Sequence, residues 1–181
     1  EAMEFQEVVT TRRSVRKYTD KEIAEEDLRE IVRLASYAPS WKNTQCVSYI
    51  FVRDEEKKAR LSECVCGFAY NTKTIGRSKV LCAVITEKGK SGCEEDGSFG
   101  TPRKDEWEMF DAGIAAQTFC LAARERGIGT VIMGYVDDGE AGEVLHLPEK
   151  KRVTAFIAMG YPEAEGKMPP RKSVDELMTT L

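Results

Sequence analysis

Lys79-Val80-Leu81-Cys82-Ala83-Val84-Ile85-Thr86 decides the fold class. The run is nearly all apolar, so it reads as a central strand buried on both faces. Helical patterns surround it. Glu25 to Ala38 carries Leu28, Ile31, Val32 and Ala35 at helical spacing, and Pro39 stops it because proline disfavours helical geometry in the preceding residue. Glu106 to Arg126 is the longest helix, with Phe110, Ile114, Thr118, Leu121 and Ala122 along its expected inward side. Its small residues (Ala112, Gly113, Ala115, Ala116) suit close approach to another helix, and Gly127 suits its C-terminal cap. Asp54 to Cys64 is a further helix with an aspartate N-cap. Phe5 to Thr11 is a short one with Phe5, Val8 and Val9 inward. Val47 to Arg53, Thr130 to Met133 and Val153 to Tyr161 complete the strands. Helices and strands interleave around one sheet, which gives a mixed α/β or α+β domain spanning 1–181; periodicity leaves the strand order open.

At 181 residues the chain is long enough to bury roughly 70% of its unfolded surface. Its net charge of −4 argues against general nucleic-acid binding, which needs a basic footprint. No apolar run approaches the roughly 20 residues of a membrane span. The polar start Glu1-Ala2-Met3-Glu4 is no secretory signal, and Met3 reads as the native start with Glu1 and Ala2 left from expression. The six cysteines form no Cys-x-x-Cys pair and His146 is the only histidine, so zinc and iron–sulfur patterns fail. The cysteines read as reduced structural thiols of a cytoplasmic protein, with Cys64 and Cys93 as the candidates for reactivity. The stretch from Glu87 to Asp105, rich in Gly, Ser, Glu and Lys, is the expected mobile loop. The tail from Gly166 to Leu181 is basic at first and then helical in pattern.

Four segments could carry chemistry. Arg12-Arg13-Ser14-Val15-Arg16 offers guanidinium forks and a hydroxyl at a helix end, which suits a phosphate. It equally suits a solvated helix end with arginines paired to Glu22 or Glu25. Pro39-Ser40-Trp41-Lys42-Asn43-Thr44-Gln45 places amides where they could pair with a heterocycle, or simply bond a loop backbone. Gly127-Ile128-Gly129-Thr130-Val131-Ile132-Met133-Gly134 fails as a dinucleotide fingerprint in both register and order. Gly134 could still let backbone approach a ligand. Pro169-Pro170-Arg171-Lys172 presents cations on a tail. No nucleophile elbow or phosphate-gripping lysine loop occurs, and His146 reads as a surface or packing residue.

Taken in order, these segments resemble the FMN-dependent nitroreductase family. Arg12 to Tyr18 is similar to its N-terminal phosphate motif, and Ala38-Pro39-Ser40 with Asn43 and Gln45 to its second signature. Asp111-Ala112-Gly113-Ile114-Ala115-Ala116-Gln117 resembles its central helix, Gly127-Ile128-Gly129-Thr130 the turn after it, and Ala158 to Pro162 with Arg171 its C-terminal strand and end. The resemblance implies an α+β fold: a mainly antiparallel sheet between helices in a three-layer αβα arrangement, in an intertwined homodimer with FMN at the subunit interface. It implies that Arg12, Arg13, Ser14 and Arg16 hold the phosphate and ribityl end, with Arg171 adding charge and Asn71 near the ring. Pro39, Ser40, Trp41 and Asn43 would come from the partner subunit, and Met133 and Gly134 would lie against the flavin. NADH or NADPH would reduce the flavin, and a nitroaromatic or quinone-like acceptor would reoxidise it in a ping-pong scheme with no side-chain acid or base.

Two departures bear on the acceptor. The loop from Glu87 to Asp105 stands where longer relatives place covering helices, and Met133 stands where some have an acidic residue. Dehalogenation, flavin fragmentation or azoline oxidation on the same scaffold, and a flavin carrier or sensor without turnover, remain alternatives.

Overall fold

The computed structural model describes residues 3–181; Glu1 and Ala2, read above as preceding the native start, lie outside the described residues. Four strands form one antiparallel sheet in the order β1-β2-β4-β3: β1 Val47–Val52, β2 Val80–Glu87, β3 Gly129–Met133 and β4 Lys151–Gly160. The apolar run is β2, one of the two inner strands. Its even residues, Val80, Cys82 and Val84, face one side and Leu81, Ala83 and Ile85 the other.

Each face carries its own core. On the first, α2 (Glu25–Ala35) contributes Leu28, Ile31 and Ala35, and α5 (Glu106–Glu125) contributes Ala116, Phe119, Cys120 and Ala123. On the second, Leu61 of α3 (Glu55–Ser62), Ile75 of α4 (Ala69–Arg77), and Ala141 and Val144 of α6 (Asp138–Val144) cover Leu81, Ala83, Ile85 and Phe156. The three-layer αβα architecture expected from the resemblance is therefore present. Acidic residues in the first turn of α2 (Glu25, Glu26, Asp27) complement the helix dipole. Asp54 caps α3 by accepting from the Lys57 backbone N–H at 2.8 Å, as the sequence predicts.

Several details differ from expectation. In α1 (Phe5–Thr11) only Val8 is buried, while Phe5 is 76% exposed and Val9 also faces out. The inward side of α5 is the alanine stripe rather than the Phe110 stripe. Ala112, Ala115, Ala116, Ala122 and Ala123 lie buried, and Phe110 is 60% exposed. Small side chains bring that helix close to the sheet, and Phe119 is its one large wedge, 5.1 Å from the Tyr49 ring. Helices α4 and α6 were not expected from the pattern. The 87–105 loop is folded by its own bonds, with Glu94 N–H to the Ser98 carbonyl at 2.8 Å and Gly100 N–H to Gly92 at 2.9 Å. The tail forms only α7 (Val174–Leu177), held by a reciprocal cap between Ser173 and Glu176. Among the described residues no helix is long and apolar enough to cross a membrane.

Candidate functional site

The arginine segment is pinned to an edge of the sheet. Ser14 bridges Thr130 of β3 in parallel, and the Val15 N–H donates to the Thr130 carbonyl at 2.9 Å. Two glycines make the close approach possible. A Cβ on Gly129 would lie 2.8 Å from Val15, and one on Gly160 would lie 2.7 Å from the Tyr18 ring. These glycines pair across β3 and β4, so the segment crosses a smooth strip of sheet. The Tyr18 hydroxyl donates to the Val15 carbonyl at 2.5 Å. Burial pushes its phenol well above the usual range, against the opposing pull of the nearby Arg16 charge.

Val15 faces the sheet, and Arg13 packs its stem on Gly166 while its guanidinium donates to the Thr10 and Arg12 carbonyls, each at 2.8 Å. Arg13 therefore serves the local backbone more than a ligand. Arg12 lines a cavity together with Arg13 and Val15, whereas Arg16 reaches towards the Tyr70 ring. The reading of the cluster as arginines paired to Glu22 or Glu25 is overturned. Glu22 pairs with Arg53 and Lys79, and Glu25 with Arg29 and Arg53. Among the described residues Arg12, Arg13 and Arg16 make no ion pair, and the Nε atoms of Arg13 and Arg16 are buried without a partner. An unmatched donor of this kind is costly unless a ligand meets it.

Beside this segment, Arg16 lies 5.6 Å from the Tyr70 ring centroid, at the start of α4, where Asn71 is buried. Past the end of β3, the Tyr135 ring lies tilted 4.9 Å from that of Phe68, and Gly134, the residue before Tyr135, is exposed. Met133 is buried in the second core. A cavity of about 370 Å³ adjoins the segment, lined by Arg12, Arg13, Arg124 and Gly129 among others.

Pro39, Ser40, Trp41 and Asn43 lie elsewhere. They precede β1, at the opposite edge of the sheet from β3. Three strand spacings separate the two edges, about 14 Å at ~4.8 Å each. One chain therefore does not close both groups on the same ligand ring. The loop is strained: Lys42, Asn43 and Gln45 hold φ of 43°, 54° and 51°. Each such non-glycine residue costs on the order of 1 kcal/mol. Ser40 Oγ accepts from the Gln45 N–H at 3.0 Å, and the Trp41 N–H donates to the buried Asp111 carboxylate at 3.0 Å. Trp41 packs 5.1 Å from Trp107, and its Nε1–H is buried without a partner. Asp111 is a buried carboxylate to which pattern reading gave no role of its own. Its one signal was a carboxylate in the alanine stripe of α5.

Arg171 is not brought to the cluster. It lies in an exposed tail, its guanidinium donating to the Pro169 carbonyl at 3.2 Å. The six cysteines are free. Burial raises the thiols of Cys46, Cys64, Cys82 and Cys120 above the ordinary value. His146 is exposed at a left-handed turn, φ 53°.

A family model described as "Nitroreductase family" matches residues 9–161. The chain is 32% identical over 162 residues to an Archaeoglobus fulgidus protein carrying the name NADH dehydrogenase/NAD(P)H nitroreductase, covering 87% of this chain and 85% of that one. It is 31% identical over 172 residues to a Bacillus subtilis FMN reductase [NAD(P)H], covering 90% and 68%. A nitroreductase-type protein of Desulfovibrio desulfuricans, solved in complex with FMN, superposes with a TM-score of 0.79 at 25% identity, covering 100% and 98%. The chain belongs to the nitroreductase family.

Proposed function

We propose that the chain is one protomer of an FMN-dependent NAD(P)H oxidoreductase, a homodimer that reduces electron-poor acceptors of the nitroaromatic or quinone type. The observation that carries the reading is the set of uncompensated arginines pinned along β3 beside Asn71 and Gly134. Their fit to FMN is chemical: Arg12 and Arg16 offer charge-assisted donors to a phosphate or an anionic ring edge, Ser14 a hydroxyl, and Asn71 a buried amide. When bound, FMN supplies a centre that takes hydride from a nicotinamide and passes electrons to an acceptor.

The protein's part is placement. Arg16 brings positive potential to the ring end, and the exposed backbone at Gly134 admits close approach. Pro39, Ser40 and Trp41 of the partner subunit close the other side, a reading that the opposite-edge geometry supports. A two-fold pairing of the β3 edge of one copy with the β1 side of another makes two such sites at once. The tail supports an intertwined pair, since Met168, Val174, Leu177 and Met178 are all exposed and find no cover on their own chain. Arg171 travels with that arm and reaches a site only as the arm docks.

The test is spectroscopic. Purified protein should be a yellow dimer, bleached without oxygen by NADH or NADPH and recoloured by a nitroaromatic or a quinone. A colourless monomer that takes up no added FMN overturns the reading. Flavin that stays oxidised with both nicotinamides turns it towards a carrier.

A further inference from the structure

Asp111 sits where three parts of the chain meet. Its carboxylate is 3% exposed on α5 and makes no ion pair among the described residues. Instead it accepts the Trp41 N–H at 3.0 Å and the Ser91 hydroxyl. Ser91 belongs to the 87–105 loop, is itself buried, and lies 2.9 Å from Thr44 Oγ1 and 3.3 Å from Cys46 Sγ. The same carboxylate thus ties α5 and the 87–105 loop to both ends of the stretch from Trp41 to Cys46. That stretch holds three non-glycine residues at left-handed φ (Lys42, Asn43, Gln45), a shape the free chain would relax. Further support comes from the Glu87 N–H donating to the Cys46 carbonyl at 2.9 Å, the Lys42–Glu94 pair at 2.6 Å, which is half in water, and the Trp41–Trp107 contact at 5.1 Å.

We propose that Asp111 is a positioning residue: through Trp41 and Ser91 it sets the Ser40–Trp41 surface that one subunit presents to the cofactor of the other, and makes the 87–105 loop a determinant of acceptor fit. This rests on the functional reading above. A neutral amide keeps the bond to the Trp41 N–H, because its oxygen still accepts, whereas alanine releases both donors.

The experiment uses the FMN-loaded dimer, with Asp111→Ala, Asp111→Asn and Ser91→Ala. Asp111→Ala should raise the Kd for FMN and the KM for a quinone acceptor by about tenfold at temperatures well below its Tm, with KM for the nicotinamide changing less. Asp111→Asn should recover most of that loss. A structural role alone would lower Tm and leave Kd and the KM split at wild-type values; that result overturns the proposal. If Asp111→Ala does not fold, Ser91→Ala decides. It removes one donor and leaves Trp41 bonded, so a threefold rise in acceptor KM supports the proposal and a wild-type value overturns it. Wild-type protein that takes up no FMN overturns the functional reading and this inference together. Wild-type binding with an unchanged Asp111→Ala overturns only the inference.

Discussion

Gly129→Ala tests the seat of the arginine segment. The added Cβ would stand 2.8 Å from Val15 Cβ, Cγ1 and Cγ2, against the 3.4 Å at which ordinary contact begins. Val15 is β-branched, and its Cβ is one bond from the backbone, so no rotamer change relieves the clash. The segment must lift by about half an ångström, and the 2.9 Å bond from Val15 N–H to Thr130 stretches with it. Overpacking of this kind costs about 1–3 kcal/mol. For a chain of this size, 2 kcal/mol lowers Tm by roughly 4–8 °C. Arg12, Ser14 and Arg16 move as well, so the Kd for FMN should rise about tenfold, the equivalent of ~1.4 kcal/mol. Gly142→Ala in α6 is the control: a Cβ there meets nothing within 4 Å, and alanine for glycine in a helix stabilises by about 0.5–1 kcal/mol. Urea unfolding followed by circular dichroism, with FMN titration by flavin fluorescence, reads both. If Gly129→Ala keeps wild-type stability and FMN affinity, the glycine strip does not position the segment and the argument fails.

Arg16→Ala removes a charge-assisted donor worth about 1.5–3 kcal/mol and should weaken FMN binding by roughly 10–100-fold; an unchanged titration would refute the phosphate and ring assignment. Alkaline stability should report Tyr18: the folded phenol keeps its proton where the unfolded chain, with a pKa of 10.0, has lost it. That stability is complete below the unfolded value and falls by about 1.4 kcal/mol per pH unit above it, a slope that urea midpoints should show reduced in Tyr18→Phe. Exposed Cys66 should react with a neutral maleimide in native protein, while buried Cys46, Cys64, Cys82 and Cys120 should be modified only after unfolding, as mass spectrometry would show. Removing residues 167–181 should yield a monomer in sedimentation that retains little FMN; a dimer that stays yellow would refute the arm's role.

The parts legible in the sequence were those where one kind of residue does one job. β2 announces itself because a strand covered on both faces must be apolar throughout, and α3 because Asp54 meets a free N–H group. Helix α4 was hidden because its buried face carries Asn71 and Thr74 beside Ile75, polar residues that interrupt the apolar spacing. Helix α6 was hidden by Gly139 and Gly142, which lower helix propensity until tertiary packing outweighs them. The face of α5 was misjudged because large residues usually point inward. Here alanines do, and Phe110 stays out. The arginines were visible as a cluster, but their lack of carboxylate partners was not. Glu22 and Glu25 are near enough in sequence to serve, and only the fold commits them to Arg53, Lys79 and Arg29.

The proposed division of the site between sheet edges has a thermodynamic consequence. A ligand that must touch both the β3 edge of one copy and the Ser40–Trp41 loop of another binds fully only to the pair. Its affinity and the affinity of the copies for each other are therefore one linked quantity: whatever weakens either half weakens both. Phe110 and Met109 on α5, and the apolar residues of the tail, are exposed in the single chain. On this argument added FMN should raise the fraction of dimer at low protein concentration, and dilution should release FMN. Strictly first-order release, independent of protein concentration across the dissociation range, would show that one chain holds the cofactor alone.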